Sequence, residues 1–370
     1  MEFLIETVKE VTVPQIVMWL IGGLLIFLAI KKDIEPALLL PMGFGAILVN
    51  IPFSAVIAEE GGIIASLFKV GIKASEAMPL LLFIGIGAMI DFGPLLSNPK
   101  LFILGGAAQL GIFVTLILAA VIGFPLNDAA SIAIIGAADG PTSILVALEL
   151  SSNYLGAIMV VAYSYMALVP IVQPAVVKLC TTKKERRIKM KYRAAQVSKL
   201  TRILFPVIVT IISGLIAPAS LSLVGMLMFG NLIRECGVLK TLSETAQNTL
   251  SNLITLLLGI TIAFQMQAEQ FIAWETLMIM GLGLFAFVFD TVGGVMCAKL
   301  MNLFSKEKIN PMIGAAGISA FPMAARVVEK MGVKEDSSNH LLMHAVGANV
   351  SGQIASAIVG GLIIGLVRAI

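Results

Sequence analysis

Charged side chains are scarce in this sequence. Only 13% of its 370 residues are Asp, Glu, Lys or Arg, whereas 58% are hydrophobic, accompanied by 34 glycines and 15 prolines. An ordinary soluble domain is about a quarter charged. The composition excludes a disordered chain and a secreted disulfide framework, and it argues against a cytosolic enzyme. It predicts an all-α polytopic membrane protein embedded in the lipid bilayer.

Paired cysteines and nucleotide-binding signatures are missing as well. The three cysteines, Cys180, Cys236 and Cys297, are too scattered for a disulfide scaffold or a thiolate metal site. The sequence contains neither a G-x-x-x-x-G-K-[ST] loop nor a G-x-G-x-x-G turn led by a strand. The energy for any transport must therefore come from a source other than nucleotide hydrolysis on this chain.

The net charge of +3 conceals an uneven distribution. Residues 178–202 hold ten of the 25 basic residues and one acidic residue, a net charge of +9. The rest of the chain has 15 basic and 21 acidic residues, a net charge of −6. Because the basic stretch lies between apolar spans, the positive-inside rule predicts a cytoplasmic loop and no nucleic-acid partner.

This loop divides the chain into three predicted parts. They are a first membrane repeat with an N-terminal anchor helix over 1–177, a basic cytoplasmic linker over 178–202 and a second membrane repeat over 203–370. The residues before the first apolar span include three acidic residues, Glu2, Glu6 and Glu10, and one basic residue, Lys9. A cleavable signal needs a positive start, so we expect a retained anchor.

Some uncharged stretches are long enough to cross the ~30 Å hydrocarbon core of a bilayer. These are 37–58, 101–124, 154–177, 203–233, 250–268 and 341–367. Others, at 77–90, 129–138 and 311–325, end early or contain Gly and Pro. A short or broken apolar stretch predicts a half-helix or a re-entrant segment.

Two of the broken segments occupy corresponding positions on either side of the basic loop. Residues 135–143 read IGAADGPTS and residues 313–322 read IGAAGISAFP. Each lies between two long apolar spans. This shared order of long, broken and long spans predicts an internal duplication. Paired broken segments are typical of inverted repeats with a binding site between them near the bilayer midplane.

The first broken segment has the chemistry of a cation site. Gly140 and Pro141 interrupt the helical hydrogen bonds, which leaves carbonyl groups before them without partners. In hydrocarbon such groups need protein, water or an ion. Carbonyl, carboxylate and hydroxyl oxygens suit sodium, by analogy with other hard cations. Asp139 is the first candidate, because an uncompensated carboxylate inside a membrane costs several kcal/mol.

Other polar residues leave two interpretations open. Arg326 either snorkels to the interface or binds an anionic group. Tyr163 and Tyr165 either pack in the interior or carry a proton next to the aspartate. Asp91 either caps a turn or faces the interior, and Asp290 lies either in the interior or at the interface.

Three motifs resemble those of the β subunits of biotin-dependent, sodium-translocating decarboxylases. They are residues 135–143 (IGAADGPTS), 310–326 (NPMIGAAGISAFPMAAR) and 347–354 (GANVSGQI). This family includes the oxaloacetate, methylmalonyl-CoA, glutaconyl-CoA and malonate decarboxylase complexes. The resemblance extends over nearly the whole chain.

The resemblance implies a membrane subunit that decarboxylates carboxybiotin, consumes a proton and drives sodium outward. It implies a biotin-carrier subunit that supplies the carboxybiotin, a carboxyltransferase α subunit and a small membrane γ/δ subunit as partners. It also implies a homotrimer with an elevator-like core moving against a scaffold, in the plasma membrane of a prokaryote.

Individual residues fall on the family's functional positions. The resemblance assigns proton and catalytic roles to Asp139, Tyr165, Ser319 and Arg326, carboxybiotin binding to Arg326 and Asn349, and sodium binding to Asp139, Asn310, Gly314 and Ser319. Tyr163 stands two residues from Tyr165 and is the alternative for the functional tyrosine.

Two other functions fit the sequence less well. The main alternative is a sodium- or proton-coupled secondary transporter of a small anion, which needs the same broken helices and midplane carboxylate. A structural membrane anchor without chemistry would leave Asp139 and the matched interruptions unexplained.

Overall fold

The computed structural model describes residues 9–58, 61–74, 76–190 and 197–370. Residues 191–196 of the predicted linker and residues 1–8 lie outside the described residues. All regular secondary structure in the described parts is helical. The predicted all-α membrane fold is therefore confirmed.

The first half of the chain forms ten α-helices, counted over the described residues. They are α1 (Val13–Lys32), α2 (Pro36–Val49), α3 (Ile63–Phe68), α4 (Ala77–Met89), α5 (Gly93–Ser97), α6 (Leu101–Ala107), α7 (Leu110–Ile122), α8 (Leu126–Ala133), α9 (Gly140–Glu149) and α10 (Leu155–Cys180). A 3₁₀ turn, Ile134–Ala137, extends α8.

The second half, within the same described ranges, forms another ten. They are α11 (Lys183–Arg186), α12 (Lys199–Ile216), α13 (Leu221–Glu235), α14 (Lys240–Glu244), α15 (Ser251–Ile262), α16 (Ala268–Phe271), α17 (Trp274–Phe304), α18 (Met312–Ala315), α19 (Met323–Glu335) and α20 (Leu342–Ala369).

Seven helical segments in the described ranges are long and apolar enough to cross a membrane. They are Val13–Lys32, Leu101–Ile122, Leu155–Cys180, Lys199–Ile216, Lys240–Gln265, Trp274–Phe304 and Leu342–Ala369. In α17 and α20, 56% and 61% of the apolar window is buried, against 17% in α1 and 11% in α12. Thus α17 and α20 lie in the core, and α1 and α12 lie at the periphery.

Two of the predicted single spans are wrong. Within 37–58, α2 ends at Val49, where the Asn50 side chain donates to the carbonyls of Ala46 and Met266, both at 2.8 Å. Pro52 follows two residues later and disfavours further helix. Within 203–233, Pro218 separates α12 from α13. Prolines and a tertiary contact of Asn50 end these helices, so the length of an uncharged stretch alone overestimates helix length.

The predicted interruptions at both broken segments are confirmed. After the 3₁₀ turn, Ala138 adopts a left-handed backbone with φ 51°, and Asp139 is extended before α9 begins. Pro141 stands in the first turn of α9, where its missing N–H leaves no hydrogen bond unmade. In the second half, α18 has only four residues and α19 starts at Met323.

The long, broken and long order also holds in both halves. In the first half, α6–α7 precede the broken pair α8–α9, and α10 follows it. In the second half, α17 precedes α18–α19, and α20 follows. The inverted orientation of the halves and the three part boundaries stay predictions.

Candidate functional site

The two broken segments meet at Ser319 and Ala137. The backbone N–H of Ser319 donates to the Ala137 carbonyl at 3.1 Å, and the Ser319 hydroxyl donates to the same oxygen at 2.9 Å. Both residues are buried. The carbonyl released by the first break is therefore satisfied by a residue of the second.

Asp139 caps the helix that starts after the first break. Its Oδ1 accepts from the Thr142 N–H at 3.4 Å and its Oδ2 from the Thr142 hydroxyl at 2.7 Å. Its carbonyl accepts from Ser143 N–H and Oγ at 3.0 and 2.9 Å. Aspartate is favoured at this capping position, and the positive end of the helix dipole stabilises its charge.

Helix α20 supplies two further donors to the Asp139 carboxylate. Gln353 Nε2 lies 3.0 Å from Oδ2 and Ser356 Oγ lies 3.1 Å from it. Asp139 is only 3% exposed, and all four of these donor groups are neutral. The carboxylate is thus well hydrogen-bonded, but among the described residues none of its hydrogen-bond donors carries a compensating positive charge.

The same face of α20 also reaches the second break. Asn349 Nδ2 donates to the Ile318 carbonyl at 2.6 Å, and its Oδ1 has no hydrogen-bond partner among the described residues. Asn349, Gln353 and Ser356 follow an i, i+4, i+7 spacing, which places them on one helix face. At Gly352 the helix packs so closely on the Gly317 carbonyl that a Cβ could not fit.

The long helices α10 and α20 each donate a hydrogen bond to the broken segment of the other half of the chain. On α10, Gln173 Nε2 donates to the Ala315 carbonyl at 2.7 Å. On α20, Gln353 donates to Asp139 in the first half. The hydrogen-bond donors around the two breaks therefore come from both halves of the chain.

The structure separates the two candidate tyrosines. The ring of Tyr163 occupies the space that a Cβ on Gly140 would fill, directly after Asp139. Its hydroxyl is buried without a hydrogen-bond partner in the described parts of the chain. The hydroxyl of Tyr165 instead donates to the Met280 carbonyl of α17. Tyr163, and not Tyr165, is therefore the tyrosine beside Asp139.

Asn310 and Gly314 hold the second broken segment in place. Asn310 Nδ2 donates to the carbonyls of Arg186 and Ile188 in the linker, at 2.9 and 2.8 Å, and its Oδ1 accepts from the Met312 N–H at 3.1 Å. Gly314 packs against the backbone of Gly294 on α17 with no room for a side chain. The contacts of both residues are structural, and neither contacts Asp139.

Arg326 lies on the exposed face of α19. It lines a cavity of about 390 Å³ together with Asp33, Ile34, Glu35, Pro170, Pro174, Lys178, Met323, Val327, Lys330, Met331 and Lys334. Burial raises the pKa of Glu35 above its ordinary value, although the Arg326 guanidinium opposes this shift. Four basic side chains against two acidic ones make the cavity suitable for an anion.

Comparison with known proteins identifies the family. The family model described as "Na+-transporting oxaloacetate decarboxylase beta subunit" matches residues 14–367. The chain belongs to this family. The methylmalonyl-CoA decarboxylase subunit beta of Propionigenium modestum is 48% identical, over 95% of this chain and 94% of its own.

Two further relatives carry different substrate names. The glutaconyl-CoA decarboxylase subunit beta of Acidaminococcus fermentans is 48% identical, over 95% of this chain and 92% of its own. The oxaloacetate decarboxylase beta chain of Klebsiella pneumoniae is 44% identical, over 96% of this chain and 95% of its own. The predicted kinship, and with it a decarboxylase subunit coupled to sodium export in the bacterial plasma membrane, is confirmed.

In this decarboxylase β-subunit chain, sequence reasoning missed two partners of the aspartate. Ser356 lies outside the three motifs, and Gln353 lies in the third motif, where the resemblance assigns it no role. The available signal was their spacing from Asn349 on one face of a helix rich in small residues. Asp91, by contrast, caps a turn by accepting the Gly93 N–H at 2.8 Å.

Proposed function

We propose that this chain removes the carboxyl group from carboxybiotin and uses that reaction to move sodium out of the cell. The supporting observation is the buried Asp139 carboxylate, which lies where the two broken helices meet and whose donors among the described residues are all neutral. Such a carboxylate binds a monovalent cation or a proton, and exchange between the two would link transport to chemistry.

Sodium is the cargo of this site. Its proposed ligands are the Asp139 carboxylate, the Ser319 hydroxyl oxygen and Asn349 Oδ1, which has no hydrogen-bond partner within the described ranges. The Ala137 carbonyl is not among them, because its two lone pairs already accept from the N–H and the hydroxyl of Ser319. Asn310 and Gly314, which the resemblance assigned to sodium, act in this proposal by positioning the second broken segment.

The proton comes from a group near Asp139. Cleavage of the bond between the carboxyl carbon and the biotin nitrogen releases CO₂ and leaves the electron pair on nitrogen, which then takes up a proton. Tyr163 is the proposed donor, because its hydroxyl has no hydrogen-bond partner among the described residues and its ring lies at Gly140. Tyr165, the residue assigned by resemblance, is hydrogen-bonded to α17 instead.

Carboxybiotin binds through Arg326 in the cavity between the start of α2, α10 and α19. A guanidinium matches a carboxylate geometrically, with two parallel hydrogen bonds. Lys178, at the start of the predicted cytoplasmic linker, lines the same cavity, so the cavity opens toward the side from which a soluble carrier would come. Asn349 is the predicted contact of carboxybiotin deeper in the protein.

The chain works as one subunit of a larger complex. The family name describes a β subunit, and a β subunit works with partner subunits. The partners proposed here are a biotin-carrier subunit, a carboxyltransferase α subunit and a small membrane γ/δ subunit. A homotrimer of two-repeat chains, each with an elevator-like core, is the proposed assembly. Relatives named for three substrates match at similar identity, which suits a chain whose substrate is selected by a soluble partner.

The test is Asp139→Asn in the purified complex reconstituted in liposomes. Asparagine keeps an oxygen for the Thr142 N–H but removes the charge. We expect both sodium-stimulated decarboxylation and ²²Na⁺ transport to be lost. The control is Asp128→Asn, a buried carboxylate with local partners, which should retain both activities. If Asp139→Asn decarboxylates at the wild-type rate, the proposed coupling residue is wrong.

A further inference from the structure

The buried interior is unbalanced in charge. Among the described residues, three aspartates are buried, Asp128, Asp139 and Asp290, but no lysine or arginine is. A charge in this environment needs a partner. Asp128 has one locally: it stands in the first turn of α8 and accepts from Ser152 Oγ at 2.7 Å and from Asn153 N–H and Nδ2 at 2.9 and 3.0 Å.

Asp290 is satisfied on one oxygen only. It lies in α17 and is 0% exposed. Its Oδ1 accepts from the Ile112 N–H at 3.2 Å, in the first turn of α7, where the helix dipole contributes a partial positive charge. Its Oδ2 has no hydrogen-bond partner in the described parts of the chain.

The free oxygen of Asp290 faces the first broken segment. A Cβ added to Gly136 would lie 2.7 Å from Asp290 Oδ2, so this oxygen touches the 3₁₀ turn that leads into Ala137. Asp139 stands just after the same turn. Two buried carboxylates therefore border this segment: Asp290 Oδ2 contacts it at Gly136, and Asp139 stands at its C-terminal end.

Two more oxygens that lack partners among the described residues are near in sequence to Ile112, the residue that donates to Asp290. Gln109 Oε1 and Thr115 Oγ1 are buried, and neither has a hydrogen-bond partner among the described residues. They stand three residues before and three residues after Ile112, the donor to Asp290. Carboxylate, amide and hydroxyl oxygens together are the ligand set of a hard cation.

We propose that Asp290 binds a second sodium ion, distinct from the one at Asp139, with the Thr115 hydroxyl oxygen as a further ligand. The proposal rests on the sodium transport described under the proposed function. It balances the second uncompensated carboxylate of the core, and it places the second cation beside Gly136, in the turn that leads into Ala137.

The first test is Asp290→Asn in the complete decarboxylase complex. Asparagine retains an oxygen that can accept from Ile112, so the cap on α7 is preserved while the charge is removed. We expect bound ²²Na⁺ to fall by one ion per chain and the half-saturating sodium concentration to rise at least about tenfold, the loss typical of a disturbed metal site. Asp128→Asn is the matched control and should leave both values unchanged.

The second test is Thr115→Val. This near-isosteric change removes a hydroxyl that makes no hydrogen bond to any described residue, so folding should not suffer. We expect weaker sodium binding with the same thermal unfolding midpoint. Leu116, the next residue on the helix, offers a control in Leu116→Ile.

The outcomes are separable. If wild-type complex binds no sodium, the proposed function itself fails. If wild type binds sodium and Asp290→Asn binds the same number of ions with the same half-saturation, the second site is refuted while the first stands. If Asp290→Asn does not fold, Thr115→Val decides: unchanged sodium binding refutes the second site, and weakened binding supports it.

Discussion

The hydroxyl and the backbone N–H of Ser319 both donate to the carbonyl oxygen of Ala137. The two residues belong to different halves of the chain and each lies in a broken segment. The contact joins the breaks into one polar region, next to the Asp139 carboxylate. Several measurable consequences come from the residues around it.

Ser319→Ala removes the hydroxyl donor and keeps the N–H donor. We expect a loss of about 0.5–1.5 kcal/mol in unfolding free energy, the net worth of one hydrogen bond. We also expect a higher half-saturating sodium concentration. The measurements are denaturant unfolding of the purified complex and a sodium titration of decarboxylation.

Ser351→Ala is the control for this change. Its hydroxyl also bonds carbonyls, those of Leu101 and Ala348, but away from the two breaks. It should lower stability by a similar amount and leave sodium activation unchanged. Identical sodium curves for the two variants would remove Ser319 from the site.

Tyr163→Phe and Tyr165→Phe distinguish the two tyrosines. Tyr163→Phe removes a hydroxyl that has no partner in the described parts of the chain, so stability should hold or rise while decarboxylation falls. Tyr165→Phe removes the donor to the Met280 carbonyl, so stability should fall by about 1 kcal/mol with most activity kept. Single-turnover decarboxylation and thermal unfolding would show which pattern each follows, and the reverse pattern would make Tyr165 the proton donor.

Gly352→Ala tests the close approach of α20 to the second break. A methyl group there collides with the Gly317 carbonyl, so we expect a destabilisation of about 1–3 kcal/mol and loss of sodium-dependent activity. Gly365→Ala, in the same helix but with open space around it, should instead stabilise by up to about 1 kcal/mol. A tolerated Gly352→Ala would mean that α20 can move away from the break without consequence.

Arg326→Lys and Arg326→Gln separate charge from shape in the anion cavity. If the guanidinium binds carboxybiotin by two hydrogen bonds, lysine should restore little of the apparent affinity that glutamine loses. Half-saturation for free carboxybiotin is the measurement, with sodium activation as the internal control. A shift in sodium activation without a change in carboxybiotin affinity would place Arg326 elsewhere in the mechanism.

Local sequence features predicted the positions of the breaks. Gly140 and Pro141 interrupt a helix by their own backbone chemistry, and Asp139 is conspicuous because charge is scarce around it. Those features do not depend on packing, so they are readable before the chain is folded.

The remaining contacts depend on packing and could not be read in this way. Tyr163 and Tyr165 are two residues apart, so they point about 200° apart on a helix, and the rotation of α10 decides which faces Asp139. The end of α2 depends on a tertiary contact from Asn50 to Met266. Gln353 and Ser356 matter only because α20 crosses the start of α9.

Because side chains of one half donate hydrogen bonds to the broken segment of the other, the ion site forms only when both halves of the chain are present. Asp139 and Ala137 stand before the basic linker, whereas Ser319, Asn349 and Gln353 stand after it, so neither half carries a complete ion site. A polypeptide cut at 191–196 would lose no proposed ligand, and its two fragments would regain function together but not apart. Complementation between half-chains would therefore report directly on assembly of the site.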